Sequence, residues 1–229
     1  MDRSALIGSL RASAARRRST LFRRFIDGLS RPLRIIDLGG SAQMWARWGV
    51  TAADGLEIVL ANDHRMDTTH RSEALPGRFV SNWAVDVLDL LPSSYADFDL
   101  VFSNSMLEHL PSRDAQARLA RAIAASGRPY FIQVPNRRCI VDPHFPHPLA
   151  AFFGMWPPAM QVWALQRHAL GGSSRPRTRE AAAQAIGTYH PFSRSALRRL
   201  FPDAQVVTEW SLGLPMSLVA VSPRPRPAA

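Results

Sequence analysis

The amino-acid sequence predicts an α/β protein with a doubly wound, mostly parallel sheet of seven strands that ends in an antiparallel hairpin. Three observations support this fold class. Residues 34–48, RIIDLGGSAQMWARW, have the pattern of a buried strand, a glycine turn and a helix start, which is the first unit of such a sheet. Further short apolar runs alternate with polar or helical segments, as expected for strands buried on both faces. Two last strand-like runs, at 204–210 and 217–221, are joined through Gly213 and Pro215.

Size and composition are consistent with one such domain. The chain has 229 residues, and its 46% hydrophobic content indicates a packed core rather than disorder. A single cysteine, Cys139, excludes an intramolecular disulfide and suits a reducing compartment. No apolar run is long enough for a secretory signal or a bilayer crossing. We therefore expect a cytoplasmic protein.

The net charge of +10 is a weak indicator of partners. All 28 basic residues are arginine, a bias that a GC-rich coding sequence also produces. No basic stripe interleaved with aromatic residues accompanies the charge, so nucleic-acid binding rests on charge alone. We expect no specific nucleic-acid partner.

The first 31 residues form a basic extension before a domain predicted at 32–222. Interleaved apolar residues in its later part predict an amphipathic helix that packs on the edge of the sheet. A transit peptide has a similar arginine- and serine-rich, acid-poor composition and remains an alternative.

The glycine turn after the first strand is the main candidate binding site. Asp37 ends the strand, Gly39 and Gly40 form the turn, and Ser41 can cap the helix. A dinucleotide-binding turn needs glycines where Ser41 and Met44 stand, which disfavours a phosphate cradle and a nicotinamide oxidoreductase. A phosphate-free ligand with an ammonium group near Asp37, such as S-adenosylmethionine, fits better. The alternative is the plain turn of any α/β protein.

Polar residues end the next two strands. Asn62 follows the second strand at the place where a ribose hydroxyl is usually bound, and Asp63 competes for that role. Asp86 and Val87 follow the third strand, where they could meet an adenine amino group and ring nitrogen. Ordinary turn chemistry explains these residues equally well. The two strands are predicted at 56–61 and 79–85, with a short helix and loop at 64–78.

The fourth strand, predicted at 98–103, ends at Ser103 and Asn104, which we expect in the ligand crevice. Glu108 and His109 follow and could act as an acid or base, although helices routinely expose such charges.

The remaining regular elements have clear boundaries in the sequence. A helix is predicted at 111–126 with Pro111 in its favoured early position, and a fifth strand at 129–134. A helix at 193–201 precedes the final hairpin, and the proline-rich tail at 223–229 is predicted to be disordered.

Residues 137–177 are too long for a simple connection. They predict a helical cap over the carboxyl edge of the sheet, which would form an acceptor pocket poor in water. A surface-seeking hairpin and an extra pair of core helices are alternatives. The apolar segment at 149–165 also indicates peripheral membrane contact. Within this region His144 is the first candidate for a general base, or else a structural turn residue.

Five stretches together resemble class I S-adenosylmethionine-dependent methyltransferases. The narrower resemblance is to the methyltransferase type 11 group and to a bacterial subgroup within it. In that subgroup a Pro-Asn pair after the fifth strand runs into a Pro-His-Phe segment. The stretches are RIIDLGG (34–40), DFDLVFSNSMLEHL (97–110), FIQVPNRRCIVDPHF (131–145) and the two C-terminal runs LRRLFPDAQVV and GLPMSLVAV.

The resemblance implies a Rossmann-like fold, S-adenosylmethionine as cofactor and methyl transfer to a small-molecule acceptor by direct displacement. It implies no metal. The apolar residues between Phe152 and Trp163 suggest that this acceptor is apolar or lipid-linked. Ser41 and Gln43 replace two further glycines of the usual turn, and Asn62 replaces the usual acid. A catalytically silent scaffold or binding module is therefore the alternative. The implied cofactor contacts are Asp37, Gly39 and Gly40 at the turn, Asn62 at the ribose, Asp86 and Val87 at the adenine, and Ser103 and Asn104 along the wall.

Overall fold

The computed structural model describes residues 3–63, 80–140, 145, 150–168, 170 and 175–223. In this part of the chain a seven-stranded sheet carries helices on both faces. The strands are β1 (Leu33–Leu38), β2 (Leu56–Asn62), β3 (Val80–Ala84), β4 (Leu100–Asn104), β5 (Tyr130–Pro135), β6 (Gln205–Ser211) and β7 (Leu214–Val221). The helices are α1 (Arg3–Ile26), α2 (Ala42–Arg47), α3 (Arg113–Ala125), α4 (Pro158–Arg167), α5 (Arg179–Gly187) and α6 (Arg194–Leu200).

The strand order is β3-β2-β1-β4-β5-β7-β6, and the first five strands in this order are parallel. β7 runs antiparallel to both β5 and β6. Leu212 and Gly213, with φ of 49° and 77°, form the hairpin turn, and positive φ at both residues matches the twist of the strands. The predicted fold class is confirmed. The order of strands reverses between β1 and β4, which places the expected ligand crevice at their carboxyl ends.

Alternate residues of the strands supply two separate cores. Ile36 and Leu38 of β1 face a cluster that includes residues of α3 and α6, whereas Ile35 faces a cluster that includes residues of α1 and α2. Because both faces are covered, the central strands β1, β4 and β5 are buried at nearly every position.

The N-terminal helix packs on the edge strand β6, as expected, and it also extends across a face of the sheet, which the sequence did not predict. The Phe22 ring makes edge contacts with Phe102 of β4 and Phe131 of β5, at centroid distances of 5.2 and 5.4 Å. Phe25 and Ile26 continue the same buried stripe. Spacings of three and four residues place these side chains on one side of the helix.

Helix α3 begins one position after its capping residue, Ser112. The Ser112 hydroxyl accepts a hydrogen bond from the Ala115 N–H at 3.1 Å. Pro111 therefore precedes the cap, and its predicted place in the first helical turn is wrong.

Helices α4 and α5 follow β5 and pack against each other. They have a small core of their own, separate from the two clusters on the sheet. The helical segment extends past the predicted end at residue 177, because α5 ends at Gly187. None of the helices in the described ranges combines the length and apolarity that a bilayer crossing needs. The predicted helix at 64–78 and the tail from residue 224 lie outside the described residues.

Candidate functional site

The turn after β1 lies at the point where the strand order reverses. β1 ends at Leu38, and Gly39 follows with a φ of 73°, a conformation that glycine adopts without strain. The Gly39 N–H donates to the Ala61 carbonyl of β2 at 2.9 Å, and the Ser41 hydroxyl caps α2 by accepting from the Met44 N–H. The strand, turn and cap therefore form as the sequence predicts.

Asp37 is the most unusual residue of the turn. Its side chain is fully buried, and its Oδ2 accepts a hydrogen bond from Trp45 Nε1 at 2.8 Å. Its Oδ1 has no hydrogen-bond partner among the described residues. Burial raises the pKa of this carboxyl to about 7, against the lowering effect of the Trp45 bond. A buried carboxyl with one unsatisfied oxygen is a marker of a functional site.

The two glycines leave room for protein atoms. A Cβ on Gly40 would overlap the Asp37 carboxyl, and a Cβ on Gly39 would overlap the Met106 side chain. The sequence predicts room for a ligand at these positions. The structure adds a packing reason, because Gly40 allows the turn to close over the buried acid.

Asn62 and Ser103 join neighbouring strand ends to the turn. Asn62 Nδ2 donates to the Gly40 carbonyl at 3.1 Å, and the Ser103 hydroxyl donates to the Leu38 carbonyl at 3.1 Å. Asn62 Oδ1 is buried without a partner in the described ranges. A hydroxyl donor could satisfy this oxygen, in keeping with the predicted ribose contact.

At the end of β3, Asp86 behaves as a turn residue. Its Oδ1 accepts a hydrogen bond from the Leu88 N–H at 2.9 Å, and the residue is exposed. Val87 is buried in the sheet core. The bond between Asp86 and the Leu88 N–H is the ordinary turn chemistry that the sequence offered as the alternative to an adenine contact of Asp86.

A cavity of about 520 Å³, here called the α1 pocket, lies beside the end of β4. Its walls come from α1, α2, the carboxyl ends of β4 and β5, and the amino end of β7. Asn104 is the predicted site residue that lines it. Ser105 at the same strand end also lines it. Sequence reasoning missed the other polar residues of the lining, which are Arg18, Arg47, Gln133 and Ser217.

Arg18 of α1 is fixed by a polar network at the wall of this pocket. Its guanidinium pairs with Glu209 of β6 at 2.9 Å and donates to Asn104 Oδ1 at 2.6 Å and Ser217 Oγ at 3.2 Å. The Ser217 hydroxyl in turn donates to Glu209. The side chains of Arg18 and Glu209 are only 14% and 3% exposed. No short-range pattern in the sequence indicates a pair of residues 191 positions apart.

The predicted acid–base candidates lie elsewhere. Glu108 is buried, its carboxylate is 3.9 Å from His109 Nε2, and its carbonyl accepts from the His190 N–H. The His109 ring contacts Tyr189 next to α5. Neither Glu108 nor His109 lines the α1 pocket. His144 lies outside the described residues.

No group of three histidine, cysteine or acidic residues in the described part of the chain could hold a metal ion.

Three solved structures illustrate the likeness of the fold. A protein named as a Zn-dependent alcohol dehydrogenase from Rhodobacter sphaeroides aligns with a TM-score of 0.56 at 13% identity, over 91% of this chain and 90% of that chain. An S-adenosylmethionine-dependent methyltransferase from Mesorhizobium loti aligns with a TM-score of 0.54 at 18% identity, over 89% of this chain and 96% of that chain. Magnesium protoporphyrin IX methyltransferase from Synechocystis, solved with bound SAH, aligns with a TM-score of 0.52 at 12% identity, over 92% of this chain and 84% of that chain.

These likenesses show the fold alone. The chain spans 56% and 47% of the length of two further matched methyltransferases. No protein-family model and no curated protein matches the sequence. Because a protein named as a dehydrogenase shares the fold with methyltransferases, the activity has to be argued from the site.

Proposed function

We propose that this chain is a class I S-adenosylmethionine-dependent methyltransferase that acts on a small-molecule acceptor. The observation that carries the proposal is the Asp37 carboxyl, buried beneath the glycine turn with one oxygen that no described residue binds. It lies where open α/β sheets of this topology bind their ligands. The ammonium group of S-adenosylmethionine is a donor of the right charge for this oxygen.

Other groups at the same strand ends fit this cofactor. In this proposal Asn62 Oδ1 accepts from a ribose hydroxyl, and Asp86 and Val87 contact the adenine. Ser103 and Asn104 form the wall at β4. Ser41 and Met44 stand where a dinucleotide-binding turn has glycines, which disfavours nicotinamide chemistry despite the shared fold.

When bound, the sulfonium supplies an electrophilic methyl group, so the protein's own task is mainly to position the acceptor. The α1 pocket adjoins the β4 end of the proposed cofactor crevice through Asn104 and Ser105. Apolar side chains of Met44, Trp48 and Met216 form part of its lining and would contact an apolar part of the acceptor.

This placement assigns the acceptor to a pocket walled by α1, whereas the sequence predicts a pocket formed by the 137–177 segment. The described lining of the α1 pocket contains no residue of α4 or α5. Peripheral membrane contact through residues 149–165 stays a prediction. Large apolar side chains in this range that are 44–54% exposed support it, namely Phe152, Met155, Met160 and Trp163.

Calorimetric titration with S-adenosylhomocysteine tests the proposal. We expect micromolar affinity in the wild type and a loss of at least tenfold in Asn62→Leu, which removes the acceptor of the proposed ribose bond. Gly187→Ala is the control, because a Cβ there meets open space. Absence of heat and of a thermal shift at millimolar ligand would reject the proposal and favour a silent scaffold.

A further inference from the structure

The α1 pocket has a positive lining. Two arginines and no acidic residue are among the described residues that form it. Arg18 is neutralised by Glu209, but the exposed Arg47 makes no ion pair or side-chain hydrogen bond with any described residue. The guanidinium of Arg47 is therefore available to an anionic group on a ligand, and its fork geometry suits a carboxylate.

The same lining has no general base. The described residues that form the α1 pocket include no histidine, aspartate, glutamate, cysteine, tyrosine or lysine. An alcohol would have to lose a proton during methyl transfer, and no such side chain is there to take it. An amine is protonated at neutral pH and would be repelled by the guanidinium of Arg47, which no acidic group in the described lining neutralises.

Gln133 supplies a neutral donor in the lining of the pocket. Its side chain is buried, and its Oε1 accepts from the Ser105 hydroxyl at 2.9 Å. Its amide nitrogen makes no hydrogen bond with a described residue and is left for a ligand. Ser105 has a φ of 58°, and sparsely populated conformations of this kind concentrate at functional sites.

From these observations we propose that the acceptor is a carboxylate-bearing small molecule, methylated on a carboxylate oxygen, in the α1 pocket; this rests on the proposed function. A carboxylate oxygen uses a lone pair to form a bond with the methyl carbon while the carbon–sulfur bond breaks. The bonding pair stays on sulfur, so a methyl ester and neutral S-adenosylhomocysteine result. No proton moves, and no base is needed. Arg47 and the Gln133 amide hold the anion, and the volume of about 520 Å³ suits a small organic acid.

The direct test is a transfer assay with methyl-labelled S-adenosylmethionine. The probes are benzoic, phenylacetic, cinnamic, octanoic and dodecanoic acids, each compared with its alcohol and its primary amine. We expect label only in products from acids, and we expect mild alkali to release it as volatile methanol, because esters hydrolyse whereas ethers and methylamines do not.

Variants connect the reaction to the pocket. We expect Arg47→Gln to raise KM for the preferred acid about tenfold with little change in kcat, and Arg47→Lys to recover part of the loss. Arg121→Gln, an exposed arginine of α3 outside the pocket, should change neither value. Affinity for S-adenosylhomocysteine should be the same in all four proteins.

The two proposals fail in distinguishable ways. A chain that does not bind S-adenosylhomocysteine rejects the methyltransferase assignment itself. A chain that binds it, but yields alkali-stable label from alcohols or amines or no ester from any of the acids, overturns the carboxylate assignment alone. Unchanged KM in Arg47→Gln overturns the placement of the acid in the α1 pocket.

Discussion

Asp37 makes the stability of the protein depend on pH in an unusual direction. Its pKa of about 7 in the fold is above the unfolded value of 3.8, so the native state binds the proton more tightly. Its contribution is greatest below pH 4 and is lost as the pH rises through 7. The slope between these limits is up to about 1.4 kcal/mol per pH unit.

Asp37→Asn should therefore remove this slope, because the amide does not ionise and its oxygen can still accept from Trp45. Urea unfolding of both proteins at intervals from pH 4 to pH 8 measures the effect. We expect the mutant to gain stability relative to the wild type as the pH rises, by about 4 kcal/mol in total. If the free energies of unfolding of the two proteins change in parallel with pH, the Asp37 carboxyl is ionised in the native state over the whole range from pH 4 to pH 8.

Gly40 tests how closely the turn packs on the same carboxyl. Gly40→Ala places a methyl group on the Asp37 side chain, so either the buried acid or the turn has to move. We expect a loss of about 2 kcal/mol in the free energy of unfolding, as for other overpacked sites. Gly187→Ala serves as the matched control, and equal stability of the two variants would contradict the described contact.

The sequence pattern over neighbouring positions predicts the role of some of these site residues but not of others. Asp37, Gly39 and Ser41 follow one another along the chain, and their strand, turn and cap chemistry is visible in the sequence. Arg18 and Arg47 look like ordinary charges of exposed helix faces. Their place in one pocket depends on how α1 and α2 cross the ends of β4 and β5, which no spacing along the chain encodes.

At the scale of elements, α1 is held to the sheet by an apolar stripe and by the buried pair of Arg18 and Glu209. Removing one partner of such a pair leaves an uncompensated buried charge, whereas replacing both with apolar residues is often neutral. We expect Glu209→Gln to lower the free energy of unfolding by about 3 kcal/mol. The double variant Arg18→Met, Glu209→Leu should recover most of the loss.

Urea unfolding of the wild type, Arg18→Met, Glu209→Leu and the double variant measures the coupling between these side chains. Hydrogen exchange along α1 shows whether the helix detaches in Glu209→Gln. Additive effects of the two substitutions would show that the pair does not couple the helix to β6.

The central strands were predictable as elements because burial on both faces gives them runs that are mostly apolar. The predicted and observed bounds differ by three residues at most, at the start of β7. The placement of α1 on a face was not predictable, because the stripe of Phe22, Phe25 and Ile26 shows only that one side is buried. Helix α5 was missed because its sequence, REAAAQAIG, has four alanines and a single large apolar residue, Ile186, and therefore a weak apolar stripe.

The molecule as a whole has one large double-faced sheet and a smaller helical unit of α4 and α5. The sheet carries a hydrophobic cluster on each face, and both clusters include residues of the same strands. Because they share these strands, we expect the two clusters to unfold together. The cluster between α4 and α5 shares no residue with them. The proposed cofactor crevice and the α1 pocket both belong to the sheet. We therefore expect the helical unit to open without loss of either site, since proteins open locally in cooperative units.

A matched pair of leucines tests this separation. Leu165 on α4 and Leu119 on α3 are 3% and 1% exposed, in the helical cluster and in a sheet cluster respectively. Truncation of a buried leucine to alanine costs about 2–5 kcal/mol of the structure that surrounds it. Leu119→Ala should lower the global free energy of unfolding and the protection of the sheet amides. Leu165→Ala should accelerate hydrogen exchange only in α4 and α5, with global unfolding and affinity for S-adenosylhomocysteine unchanged. If Leu165→Ala instead weakens the sheet as much as Leu119→Ala does, the helical unit and the sheet fold as one cooperative body.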